Sequence, residues 1–96
     1  PQDFDIVQWT DSSITFKWII NNQLLLFEIR YRRQGSSHWN IVIISTEDIS
    51  ADNDGHLVYK LQNLLPETYY ELKMCSIDGH AKSQYTIYRT QRTRSL

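Results

Sequence analysis

In Leu64-Leu65-Pro66-Glu67-Thr68-Tyr69-Tyr70 a leucine, a proline, a threonine and a tyrosine fall at every second position, and the alternating run Glu71-Leu72-Lys73-Met74 follows at once. Proline has no amide proton and a fixed φ, so Pro66 suits a corner between strands and would be out of place in a central ladder. Tyr70 follows at the distance where its ring can lie over that corner while its hydroxyl reaches back to main chain near Leu65 or Pro66. Peptide groups at a corner have left the ladder that would pair them, and a phenol that satisfies one of them fixes the path of the chain. The constraint is severe, because the segments on either side must then be strands that change direction here.

The flanking segments have that character. Ser13-Ile14-Thr15-Phe16-Lys17-Trp18 alternates, with Ile14, Phe16 and Trp18 on one face and Ser13, Thr15 and Lys17 on the other. Phe27-Glu28-Ile29-Arg30-Tyr31-Arg32 does the same, its aromatic and aliphatic residues inward and its charges outward. A further short strand is expected over 39–44, beginning at Trp39. The one window that could be helical, 22–33, reads at period two beyond Leu26, so a helical bundle is excluded.

With Trp18 and Tyr31 at the matching places on these strands, the run Leu64, Pro66, Thr68 and Tyr70 resembles the corner between strands E and F of a fibronectin type III domain. The resemblance spans about residues 3–92. It implies an all-β, seven-stranded antiparallel immunoglobulin-like β-sandwich with sheets A-B-E and C′-C-F-G, a domain over 1–92, and a linker at 93–96 leading to a following segment. Two features depart from the family pattern: the first strand lacks a proline-rich entry, and the loop between strands F and G has the single glycine Gly79.

Composition agrees. A chain of 96 residues buries roughly 60–65% of its unfolded surface, enough for one small core. Three tryptophans, six tyrosines and three phenylalanines supply bulky β-formers, and three glycines are too few for a fibrous chain. The net charge of −1 argues against nucleic-acid binding. No apolar run approaches the ~20 residues of a bilayer span, so this segment is not expected to insert in a membrane.

Chemistry is sparse. The lone cysteine, Cys75, cannot form an internal bridge; alternation from Leu72 and Met74 places it on the outward face of its strand, as a surface thiol whose pKa Lys73 and Arg30 would lower slightly. His38, His56 and His80 fall in three separate loops, without metal-ligand spacing, and no serine sits in a nucleophile elbow. The acidic loop from Asp48 through Asp52 and Asp54 to Gly55 has several oxygen ligands but no terminal bidentate glutamate, and reads as an ordinary turn rather than a calcium site. No catalytic residue, cofactor or metal is expected.

The candidate binding surface is a basic row, Arg30, Arg32, Lys73 and Arg89, on the C′-C-F-G face, with Arg30 expected to pair across strands with Glu71. A second candidate is the pole where loops 20–23, 47–55 and 77–83 would gather. In the last strand, Arg89 would be exposed if Thr86, Tyr88 and Thr90 face inward and Ile87 outward, since an unpaired buried guanidinium is costly. The family resemblance implies a non-enzymatic module of a larger extracellular or cell-surface protein, a receptor or adhesion molecule, serving protein–protein recognition or spacing of neighbouring domains. Its partner would be a protein ligand or the adjoining domains, with a heparin-like polyanion as the lesser class. An intracellular structural module of cytoskeletal or muscle kind, or the non-catalytic appendage of an enzyme, are the alternatives.

Overall fold

Period-two alternation is realised as two antiparallel sheets closed over one apolar interior. The structure, a computed structural model, describes residues 2–19, 26–79, 81–83, 85, 86 and 89–96. In order, its strands are β1 (Gln2–Trp9), β2 (Ile14–Ile19), β3 (Leu26–Arg33), β4 (Asn40–Ser45), β5 (Ser50–Ala51), β6 (Leu57–Leu61), β7 (Tyr69–Asp78), β8 (Ala81–Lys82) and β9 (Arg89–Arg92), with a 3-10 turn at Thr46–Asp48. One sheet runs β1-β2-β6-β5; the other runs β4-β3-β7-β8, with β9 also paired to β7. Strands β1, β2, β3, β4, β6 and β7 occupy the places read as A, B, C, C′, E and F. Strand β9 stands at the place of the expected last strand, and β5 and β8 are added two-residue strands.

The interior is the set that alternation points at. Ile14, Phe16 and Trp18 of β2 and Phe27 and Ile29 of β3 have no solvent exposure, nor have Leu72 and Met74 of β7. Phe16 and Phe27 both pack on Trp18, with ring centroids 5.7 and 5.2 Å away. Leu57, Leu61, Leu64 and Tyr70 close the cluster, and Tyr31 packs against it half-buried, its ring 6.4 Å from that of Tyr70. Ser13, read as solvent-facing, is buried instead, its hydroxyl 2.6 Å from that of Thr10 in the β1–β2 turn.

The corner between β6 and β7 is satisfied bond by bond. The Leu65 amide donates to Tyr70 Oη at 2.9 Å, and the Thr68 hydroxyl donates to the Pro66 carbonyl at 2.8 Å. Asn63 and Glu67 sit on either side of Pro66 in left-handed backbone, at φ 65 and 50, a conformation that non-glycine residues hold only when neighbours enforce it. At Glu67 enforcement comes from the chain end. Thr93 is fully buried; its hydroxyl donates to the Leu65 carbonyl at 2.6 Å and accepts from the Thr68 amide at 3.0 Å. The Glu67 amide donates to the Arg94 carbonyl, and the Arg94 amide to the Thr10 carbonyl. The chain is therefore docked through Arg94.

Two measurements check this architecture. Trp18→Ala empties the centre of the core and is expected to lower unfolding free energy by about 3–5 kcal/mol in chemical denaturation. Tyr70→Phe keeps the ring but leaves the Leu65 amide without its acceptor, an expected loss of about 1–2 kcal/mol. An unchanged denaturation midpoint in either variant would contradict the assignment.

Candidate functional site

On the outer face of the β4-β3-β7 sheet, register decides which side chains meet. Arg30 lies opposite Lys73 and Ile41, Arg32 opposite Glu71, and Glu28 opposite Cys75 and Ile43. Three of the four predicted cations, Arg30, Arg32 and Lys73, thus share one patch. Two aromatic rings organise it. Arg32 lies over the Trp39 ring at 4.1 Å, Lys73 over Trp39 at 4.7 Å and over Tyr85 at 4.4 Å, and Arg30 over Tyr85 at 5.5 Å. The result is an alternating ladder, Arg32-Trp39-Lys73-Tyr85-Arg30, in which each ring's negative face is sandwiched by positive charge.

The ion pairs differ from expectation. Arg30 bonds Glu28, two residues along its own strand, with Nε to Oε2 at 2.9 Å, and it is Arg32 that pairs with Glu71, also at 2.9 Å. Register explains this, since Glu71 is the direct cross-strand neighbour of Arg32 and lies one pleat away from Arg30.

Glu28 is the larger surprise. Read as an outward charge, it points away from the core yet is buried, its side chain 5% exposed. The segment after β7 folds over it. Lys82 Nζ lies 3.0 Å from Glu28 Oε1, and the Tyr85 hydroxyl donates to Oε2. Burial raises the Glu28 pKa, but the bonds from Tyr85, Lys82 and Arg30 outweigh it and hold the carboxyl down at about 2. Tyr85 is pushed up, by burial first and then by its bond to the carboxylate. Cys75 shares the cover. It is fully buried, its Sγ 3.9 Å from Glu28 Oε2, and burial together with the Glu28 charge raises its pKa. Both the surface position and the lowered pKa read from sequence are corrected.

Arg89 does not join the row. It pairs in register with the buried Leu72, so it belongs to the inward side of the sheet. At the sheet's edge its guanidinium escapes the interior and donates to the Phe4 carbonyl of β1 at 3.2 Å. Thr90, expected inward, lies opposite Glu71 and is exposed. The orientations expected of Ile87 and Tyr88 lie outside the described residues, as do His80 and the loop 20–23.

The other candidate surfaces are simpler. The Leu26 end of β3 pairs with Ser45 and Ile77, so the acidic segment 46–55 and the β7–β8 turn leave from one pole. There Asp52 Oδ1 accepts from the amides of Asp54 and His56, both at 2.9 Å. The His56 amide is the main cause that lowers the Asp52 pKa. Ligand atoms of Asp52, Asp54 and His56 fall within 4.8 Å of one another, three donors where calcium takes six to eight oxygens. Asp48 is not part of that group.

The family whose profile matches the sequence, over residues 1–92, is the fibronectin type III domain. The chain belongs to that family. Its members are non-catalytic modules, and fibronectin type III domains of solved structure share the fold. The fn3 domain of human contactin 1 superposes with TM-score 0.81 at 17% identity, covering all of this chain and 77% of that one. The FN1-FN3 domains of chicken CNTN1 give 0.78 at 19% identity, covering 99% of this chain and 31% of that one. A computationally redesigned β-sandwich protein gives 0.71 at 20% identity, covering 100% and 95%. No curated protein sequence matches the chain significantly. As a fibronectin type III domain it keeps the expected corner and core; the ladder through Trp39 and Tyr85 is what sequence reading did not assemble.

The Glu28 cluster makes a pH prediction. A carboxyl whose pKa is lower folded than unfolded stabilises fully above the unfolded value, here 4.5, and that stabilisation is lost as pH falls toward 2. Denaturation between pH 6 and 2 is expected to show a loss of about 2–3 kcal/mol in the wild type that is missing in Glu28→Gln. Cys75 gives an independent check. Its labelling by a thiol reagent is expected to be slow and to accelerate at least about tenfold in Tyr85→Ala, which uncovers it; rapid labelling of the native wild type would refute the burial.

Proposed function

We propose that this fibronectin type III domain is a protein-recognition module of a modular extracellular or cell-surface protein, and that it recognises a protein ligand through the outer face of the β4-β3-β7 sheet. One observation carries the reading. The ladder of Arg32, Trp39, Lys73, Tyr85 and Arg30 stands beside Leu26, Ile41 and Ile43, which are 43%, 51% and 51% exposed. Tryptophan, tyrosine and arginine held rigidly next to exposed aliphatic surface is the composition of binding hot spots. The contactin domains among its structural neighbours support the cell-surface setting.

A protein ligand is favoured over a polyanion because two of the cations are already engaged, Arg30 by Glu28 and Arg32 by Glu71. Interleaved carboxylates weaken the field a sulfated chain would need. Among the described residues no helix is long and apolar enough to cross a membrane.

The proposal is tested by presenting the domain to cell surfaces and measuring saturable binding. Arg32→Glu and Trp39→Ala are each expected to weaken it at least about tenfold, whereas Lys60→Glu on the opposite sheet leaves it unchanged. Binding that survives both outer-face changes would leave a spacer role as the better account. Heparin retention is expected to disappear by about 0.15 M salt; retention beyond that, lost in Lys73→Ala, would make a polyanion the principal ligand.

A further inference from the structure

Strand edges expose unpaired amides and carbonyls, and folded proteins protect them with bulges, charges, short strands or covering segments. Among the described residues the edges of this domain are protected in just these ways, with one exception. Strand β1 has two register irregularities, and Arg89 and Arg94 cap its Phe4 and Trp9 carbonyls. Strands β5 and β8 are two residues long, and β9 ends in Arg89 and Arg92. Strand β4 has none of these devices. Its six residues, Asn40-Ile41-Val42-Ile43-Ile44-Ser45, hold register with β3 throughout and contain no charge, proline or glycine. It forms the end of its sheet, and Ile41 and Ile43 stand half-exposed on its outer side.

We propose that β4 is a self-association edge, at which a second copy of this chain adds its own β4 in antiparallel register to make one continuous sheet across two domains. Symmetry and charge both select this occupant. A two-fold axis perpendicular to the sheet keeps the outer faces on the same side, so residues of equal parity must pair and the axis runs between the strands where a residue faces its own counterpart. An axis midway between the two Val42 residues sets Ile41 opposite Ile43 of the second copy and Ile43 opposite its Ile41, which joins four isoleucines on one face. The same axis lays the C-terminal end of β4, which is followed by Glu47 and Asp48, along the end of the second copy that is preceded by Arg33 and His38 and flanked by the Arg32-Trp39 stack. Opposite charges therefore meet twice, while the paired strands themselves bring no charges together. Antiparallel pairing of the charged ends also disfavours a parallel arrangement, which would set Glu47 against Glu47.

A pair of six-residue strands buries less than the roughly 1,200 Å² of a stable interface, so a weak, concentration-dependent dimer is expected. Sedimentation of the wild-type domain from about 10 μM to about 1 mM should show monomer converting to dimer. In Ile41→Lys/Ile43→Lys the new lysines would oppose each other across the axis, and dimerisation should weaken at least about tenfold with the circular dichroism spectrum unchanged. Glu47→Lys, which lies outside every strand, should weaken it as well at low salt, and tests the same pairing if the double variant folds poorly. Hydrogen exchange of the β4 amides that face away from β3 should slow as concentration rises. A wild type that stays monomeric at about 1 mM overturns the proposal, as does a dimer that neither the paired lysines nor Glu47→Lys weakens. Because this reads association of the isolated domain with itself, its outcome is separate from whether the outer face binds a protein ligand.

Discussion

The main chain on either side of the Leu65 Cα is the point on which this sandwich turns. A chain that passes from one sheet to the other must take peptide groups out of their ladders, and a buried amide or carbonyl without a partner costs about as much as a hydrogen bond is worth several times over. Tyr70 takes the Leu65 amide and Thr93 the Leu65 carbonyl. With these two consecutive peptide groups satisfied, Leu64 and Tyr70 can enter the same interior from opposite sides of Pro66. The register of β7 against β3 then follows, and with it every residue that meets on the outer face.

That outer face shows how a sheet with solvent on one side can still hold a buried acid. Glu28 is tolerated because it has four neighbours able to donate: Arg30, Lys82, Tyr85 and the Cys75 thiol. Removing water from a carboxylate is expensive, and charged hydrogen bonds at close range are what offset it. The same donors serve the ladder, since Tyr85 bonds Glu28 through its hydroxyl while its ring supports Arg30 and Lys73. The acid thus orients the aromatic that orients the cations.

Alternation made the core legible. Ile14, Phe16, Trp18, Phe27, Ile29, Leu72 and Met74 are all where a period of two points them, and the spacing from Pro66 to Tyr70 announced the corner. What alternation reports is the side of a sheet, not whether that side is covered. Glu28 and Cys75 were therefore assigned to the correct face and the wrong environment, because the cover comes from Lys82 and Tyr85, more than fifty residues after Glu28. Arg89 failed for the opposite reason: an inward position at a sheet edge leaves a long side chain room to leave, so the cost of burying a guanidinium did not apply. Trp39 and Tyr85 were visible as residues, but their ladder depends on β3 and β7 in register and on two rings from outside the strands, and no local spacing encodes it. Thr93 is a lone threonine in a polar tail, and only the distant corner gives its hydroxyl a role.

The bonds of Thr93 and Arg94 also determine how the domain would bear tension. A pull that enters through Arg94 meets its amide bond to Thr10 and its carbonyl bond from Glu67 before it reaches any strand. Those bonds tie the chain end to both the β1–β2 turn and the β6–β7 corner, so the load is divided between the two sheets. Beyond them β9 is only four residues long and pairs with β7 alone in the ladder. Once the Thr93 and Arg94 anchors part, the corner loses the partner of its Leu65 carbonyl at the same moment, and the load passes to the pairing of β9 with β7. The first resistance to a pull on this chain end therefore lies in two residues of its tail.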